Sequence, residues 1–192
     1  MARPIMYMIA GPNGAGKSTL YETVISPIVN APFINADIIQ RDELKQTSME
    51  MAYEAAKIAQ NRRQECLENK QSFVTESTFS HPSKIELIVD ARRKGFRVIF
   101  YHVHVSNPDL SVARVSERVS LGGHDVPEEK IRSRYERNQG IIKRAALMSD
   151  NAIVYDNSKL NEPPMWVALF EEGLCVSLAD SVPRWANDLY RL

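Results

Sequence analysis

Cysteine is almost missing: Cys66 and Cys175 are the only two in 192 residues. They stand far apart, with no C-x-x-C or Cys/His spacing, which argues against a disulfide framework or a zinc site and leaves two reduced thiols in packed positions. Net charge is missing too, since 24 basic side chains balance 24 acidic ones. Binding of nucleic acid or a membrane surface by bulk electrostatics usually needs a basic excess, so the balance argues against both, though not against a local basic patch. No apolar run approaches the roughly 20 residues that cross a bilayer, and the long one at Val98–Val105 contains two histidines. Met1-Ala2-Arg3-Pro4 leads straight into a short apolar run without the parts of a signal peptide, which points to a cytoplasmic protein. Repeats, low-complexity tracts and linkers are also lacking. With 44% apolar residues, positions 1–192 read as one globular domain with a sizeable core.

What is present is an alternation of short apolar runs with longer amphipathic stretches, the pattern of β-α units wound into a mainly parallel sheet. Ile5–Ala10 shows no in–out alternation and predicts a central strand covered on both faces. Further strands are expected at Phe33–Ala36, Phe73–Thr75, Phe96–Val105 and Asn151–Tyr155. A long helix is expected over Met49–Lys70, burying Ala52, Tyr53, Ala56, Ala59 and Cys66, and another over Ser83–Lys94, stopped by Gly95. Asp109–Ser149 reads as helical except for a break at Gly122-Gly123-His124, after which Pro127 with Glu128 and Glu129 opens the next helix. Met165–Phe170 and Leu174–Leu178 suggest a hairpin, and Ser181-Val182-Pro183 opens a short final helix.

Gly11-Pro12-Asn13-Gly14-Ala15-Gly16-Lys17-Ser18 fits G-x-x-x-x-G-K-[ST] and sits between a strand and a helix, the context this phosphate-binding loop requires. Glycines let backbone N–H groups curl around phosphate oxygens, Lys17 reaches the β- and γ-phosphates, and the Ser18 hydroxyl can ligate Mg²⁺. The expected fold is therefore a three-layer α/β P-loop NTPase with a mainly parallel sheet, a helical lid over about residues 113–147, and a C-terminal hairpin plus helix. No N-K-x-D box is present, the nearest piece being Asn157-Ser158-Lys159, which counts against a GTPase. The longest strand ends His104-Val105-Ser106 rather than Asp-Glu, which counts against a motor ATPase.

Ligands of open parallel sheets bind beyond the carboxyl ends of the strands, so polar residues there come first. Asp37 follows the second strand and can take the proton of an acceptor hydroxyl, with helix N-capping as its alternative role. Glu76 follows the third, with Thr78 two residues on; it can hold a water on Mg²⁺ or bind the acceptor, the alternative being a carboxylate in a first helical turn. Bases cluster late. Residues 113–147 carry net +3 and residues 148–192 net −4, so neutrality is a cancellation. Gly122-Gly123 provides a hinge for a lid, and Arg118, Arg134 and Arg137 are candidates for stabilising a transferring phosphoryl group, whereas Arg132 points elsewhere. His102 and His104 share a strand face and, without a third ligand, read as satisfied polar residues near the strand's end; His124 is a candidate phosphate or substrate contact.

Gly11–Thr19 (GPNGAGKST), Phe33–Asp37 (FINAD), Thr75–Ser80 (TESTFS), Gly122–Arg137 (GGHDVPEEKIRSRYER) and Tyr155–Ser158 (YDNS) occur in the order seen in zeta-toxin-like P-loop kinases. The resemblance spans about residues 5–158. It implies ATP- and Mg²⁺-dependent phosphorylation of a small-molecule hydroxyl, in the best-known members the 3′-hydroxyl of the sugar of UDP-N-acetylglucosamine. By motif position it assigns Lys17, Ser18 and Thr19 to the nucleotide site, Asp37 to the base, Glu76 and Thr78 to the substrate or metal side, and Arg134 and Arg137 to the lid region. Asn157 would lie near the adenine, and His124 stands at an arginine position of the family. A small helical antitoxin is the implied partner. Another alcohol acceptor (a nucleoside, an antibiotic or a nucleic-acid end) and a nucleotide-binding module acting through a partner protein are the competing readings.

Overall fold

The structure is a computed structural model and describes residues 3–46, 48–120 and 126–192. Seven strands form one sheet: β1 (Ile5–Ala10), β2 (Phe33–Ile34), β3 (Phe73–Ser77), β4 (Arg97–His104), β5 (Asn151–Asp156), β6 (Met165–Glu171) and β7 (Leu174–Leu178). Their order is β2-β3-β1-β4-β5-β6-β7. The first five run parallel, and the β6-β7 hairpin is added antiparallel at one edge.

The expected central strand is β1, and its lack of alternation has the expected cause. Met6, Met8 and Ala10 pack into the larger core on one sheet face, with Phe73, Phe79, Phe100 and Phe170. Ile9 packs into a smaller core on the other face, with Leu20, Ile25, Val74, Tyr101 and Val103. Helices α1 (Lys17–Leu20) and α2 (Ala36–Ile38) each start just past a strand and continue as wider π-type turns, Tyr21–Ile25 and Ile39–Leu44. Such widened turns are frequent at functional sites. The remaining helices are α3 (Met49–Glu68), α4 (Ser83–Arg93), α5 (Pro108–Ser120), α6 (Glu128–Leu147) and α7 (Arg184–Tyr190). Gly95, at φ 83°, ends α4 as expected.

Three expectations are corrected. The buried side of α3 is Ala55, Ala59, Cys66 and Leu67, while Tyr53 is 73% exposed and Ala56 also faces out. The small alanines, rather than the bulky tyrosine, let α3 lie close to the sheet. Cys175 is exposed on β7, every residue of which is exposed, so only Cys66 is a packed thiol. His102 and His104 are fully buried but not fully satisfied. His102 Nδ1 lies 2.8 Å from the Tyr190 hydroxyl, whereas His102 Nε2 and both His104 ring nitrogens have no partner. The pair sits among Tyr135, Trp185 and Tyr190, where burial pushes the His102 pKa well down and that of His104 to about 3. No helix among the described residues is long and apolar enough to cross a membrane.

Candidate active site

The loop between β1 and α1 is shaped by its backbone and its neighbours. A Cβ on Gly11 would collide with the Val103 carbonyl, so only glycine lets the loop leave β1 so close to β4. Gly16, at φ 88°, adopts the left-handed conformation that turns the chain into α1. Beneath the loop, the buried Asn157 amide donates to the Ala15 carbonyl at 2.9 Å, and the Asn157 carbonyl accepts from Arg114 at 2.7 Å. Asn157 thus braces the loop from below. Gly11, Pro12 and Ala15 form its buried back, while Asn13, Gly14, Gly16, Lys17, Ser18 and Thr19 face a cleft of about 1020 Å³.

The same cleft is lined by Asn35, Asp37, Gln40, Arg41, Lys45, Glu76, Thr78, Arg114 and Arg118. Topology explains this convergence: β1, β2 and β3 are parallel neighbours, so the segments following them emerge at one end of the sheet. Asp37 does not cap α2. The cap is Asn35, whose Oδ1 accepts from the backbone N–H groups of Asp37 at 2.8 Å and Ile38 at 3.4 Å, leaving the Asp37 carboxylate for the cleft. Glu76 does not start a helix either: it lies within β3, and its Oε2 is buried without a partner. Burial raises its pKa, with the nearby Asp37 charge acting in the same direction, against Lys17, a hydrogen bond from Asn35, and Arg118.

Lys17 is buried and donates to the Pro12 carbonyl at 3.2 Å. Burial pulls its pKa down, as do Arg118 and Arg134, while Glu76 and Asp37 hold it up. Lys17 and Glu76 are thus the charged groups that burial disfavours, set beside the exposed Asp37 and Arg118. That is where an arriving phosphate, with its own negative charge, changes most.

Of the three arginines expected to stabilise a phosphoryl group, Arg118 lines the cleft, and Arg134 donates to the Asn13 side chain at 3.2 Å. Arg137 is exposed and is not among the residues lining the cleft. Arg132 is turned to Glu128 and Asp109, at 2.8 and 2.6 Å. His124 and the Gly122-Gly123 hinge lie outside the described residues. The sequence reading missed Asn35, Arg114 and Asn138, whose buried amide donates to the Thr78 carbonyl at 2.7 Å. Asn35 had a usable signal, since an asparagine two residues before a polar residue at a strand-to-helix junction has the makings of a cap; the other two act across long sequence separations.

Comparison with known proteins places the chain. An uncharacterized protein of Haemophilus influenzae is 33% identical over 63 residues, a stretch that is 33% of this chain and 45% of that protein. The crystal structure of AvrRxo1-ORF1:-ORF2 with ATP superposes with a TM-score of 0.72 at 14% identity, covering 98% of this chain and 64% of that one. The PezAT chromosomal toxin–antitoxin system of Streptococcus pneumoniae gives a TM-score of 0.63 at 15% identity, covering 100% of this chain and 78% of that one. This chain therefore spans under two thirds of the length of the first two relatives, and the structural likenesses show a shared fold. The Zeta toxin family model matches residues 1–162. With the phosphate-binding loop, the sheet order and this match in agreement, the chain belongs to the zeta toxin family.

Proposed function

We propose that the protein is an ATP-dependent phosphotransferase that moves the γ-phosphate to a hydroxyl of a small molecule, with the sugar of UDP-N-acetylglucosamine as the acceptor. The observation that carries this reading is the single cleft in which Lys17 and Ser18 of the phosphate loop face Asp37 and Glu76. The loop's backbone N–H groups and the start of α1 hold the phosphates, and Lys17 exchanges its bond to the Pro12 carbonyl for phosphate oxygens. The residues present fit Mg²⁺: Ser18 lies at the cleft in the first turn of α1, and the unpartnered Glu76 Oε2 offers a buried acceptor for a hydrogen of a water on the ion. When bound, the ion neutralises charge on the β- and γ-phosphates.

Asp37 orients the acceptor hydroxyl and receives its proton as the oxygen bonds to the γ-phosphorus and ADP leaves. Arg118 and Arg134 supply positive charge near the migrating group. Lys45 on the acceptor wall suits a molecule that itself carries phosphates, such as a nucleotide sugar, while Arg41 beside it is paired with Asp42 at 2.8 Å. A small antitoxin protein is the proposed partner, as the toxin–antitoxin complex among the structural neighbours would have it.

The test is incubation with ATP, Mg²⁺ and UDP-N-acetylglucosamine followed by mass analysis of the products. One added phosphate on the sugar nucleotide is expected, and its absence removes that acceptor. Asp37→Asn is expected to keep ATP binding and to lose transfer by roughly 10²–10⁴-fold; full activity in that variant rules out the proton-accepting role.

A further inference from the structure

On one face of α6, residues 134, 135 and 138 reach three different strand ends. Arg134 donates to Asn13 in the phosphate loop at 3.2 Å, and the Tyr135 hydroxyl donates to the Val105 carbonyl, just past β4, at 2.6 Å. Asn138 donates to the Thr78 carbonyl, just past β3, at 2.7 Å. Thr78 and Asn13 line the same cleft, on its acceptor and nucleotide sides. Asn138 is 1% exposed, and its Oδ1 has no partner. Turning the amide over would not relieve this, because a carbonyl such as that of Thr78 can only accept. A buried asparagine with half its hydrogen-bonding capacity unused is costly in a helix interior, where an apolar residue would pack without that loss.

We propose that α6 couples the nucleotide loop to the acceptor loop, with Asn138 as the positioning residue that carries the link to Thr78. This rests on the reading of the cleft as a phosphotransferase site. Phosphate arriving at the loop replaces Asn13 as the partner of the Arg134 guanidinium and, as the stronger charged acceptor, draws α6 more firmly onto the loop at that point. Tyr135, anchored on Val105, holds the helix between the two contacts. A 20-residue helix is stiff over the single turn that separates Arg134 from Asn138, so the shift reaches the Thr78 carbonyl. Linkage makes the effect reciprocal: an acceptor that fixes Thr78 tightens nucleotide binding by the factor with which nucleotide tightens acceptor binding.

The test is hydrogen exchange on the full chain with and without a non-hydrolysable ATP analogue and Mg²⁺. In the wild type the nucleotide is expected to slow exchange in residues 11–19 and also in 76–80. In Asn138→Ser, and in Tyr135→Phe, which keeps the ring but frees α6 from the Val105 carbonyl, protection of 11–19 is expected to persist. The nucleotide-linked slowing at 76–80 should then fall by about tenfold, the scale of one lost hydrogen bond. Persistence of that slowing in both variants, or its absence from the wild type despite protection of the phosphate loop, overturns the coupling. No protection of 11–19 in the wild type instead removes the nucleotide site, and the coupling falls with it. Because no phosphate transfer is measured, a wrong acceptor assignment leaves this result intact and shows only in the product assay.

Discussion

The two ends of the sheet handle charge in opposite ways. At the end where β1, β4 and β5 begin, Asp150 accepts from the Val98 N–H at 2.8 Å and pairs with Arg3 at 3.2 Å and Arg92 at 3.6 Å. Arg92 also reaches Glu172 at 3.0 Å and the Met148 carbonyl at 2.7 Å. A cavity of about 540 Å³ lies there, yet Arg3 and Asp150 on its wall are already matched. At the opposite end, Glu76 Oε2 is buried and, among the described residues, unpartnered, and the Lys17 ammonium donates to the Pro12 carbonyl rather than to a carboxylate. Matched charges hold a chain together; unmatched ones wait for a ligand. The larger cleft, of about 1020 Å³, is thus also the one whose wall carries an unpartnered buried carboxylate oxygen.

Substitutions at the two ends break this contrast in opposite directions. Glu76→Gln is expected to lower phosphate transfer by roughly 100-fold while the ligand-free protein melts at the same temperature or higher. Reduced thermal stability with full activity would reverse the roles of the two ends. Asp150→Ala leaves an N–H and two guanidinium groups short of an acceptor. Its expected cost is about 2 kcal/mol, discounted for the partly exposed arginines, or roughly 4–8 °C in Tm, with transfer by the folded protein unchanged. A Tm within error of the wild type would show that the matched end contributes nothing.

The smallest effect is one of slope. The His104 pKa lies near 3 in the folded protein against an ordinary 6.5, and that of His102 is also depressed. Below pH 6.5 the unfolded chain takes up protons that the folded chain refuses, so stability drains away as pH falls from 6.5 towards 3. The raised Glu76 pKa acts in the other sense: the folded chain holds that proton longer, and stability is lost as pH rises above 4.5. Urea midpoints between pH 7 and 4 are expected to fall less steeply with acid in His104→Phe than in the wild type. Parallel profiles would mean that His104 does not govern acid sensitivity.

Residues acting through local pattern were legible in the sequence. The phosphate loop, the hairpin and the stop at Gly95 each depend on a few consecutive residues whose backbone preferences are known. Where a rotation or a distant partner decides, the reading failed. In the α3 stripe Ala59 and Cys66 are buried as expected, but Tyr53 and Ala56 face out and Ala55 and Leu67 pack instead, because the packed face turns on how closely alanines let the helix approach. Nothing near residue 138 in the chain shows that its amide meets a carbonyl 60 residues earlier. Strand position alone does not reveal that the aromatic rings of α6 and α7 close over His102 and His104 and leave three of their four ring nitrogens without a partner.

The brace beneath the phosphate loop has a kinetic and entropic side. With Asn157 bonded to the Ala15 carbonyl and Gly11 pressed against Val103, the loop has its shape before any nucleotide arrives. Ordering six or more backbone residues at the moment of binding would oppose association by about 1–2 kcal/mol each, a cost here met during folding. Nucleotide capture should then resemble a rigid encounter, limited by diffusion and orientation rather than by loop closure.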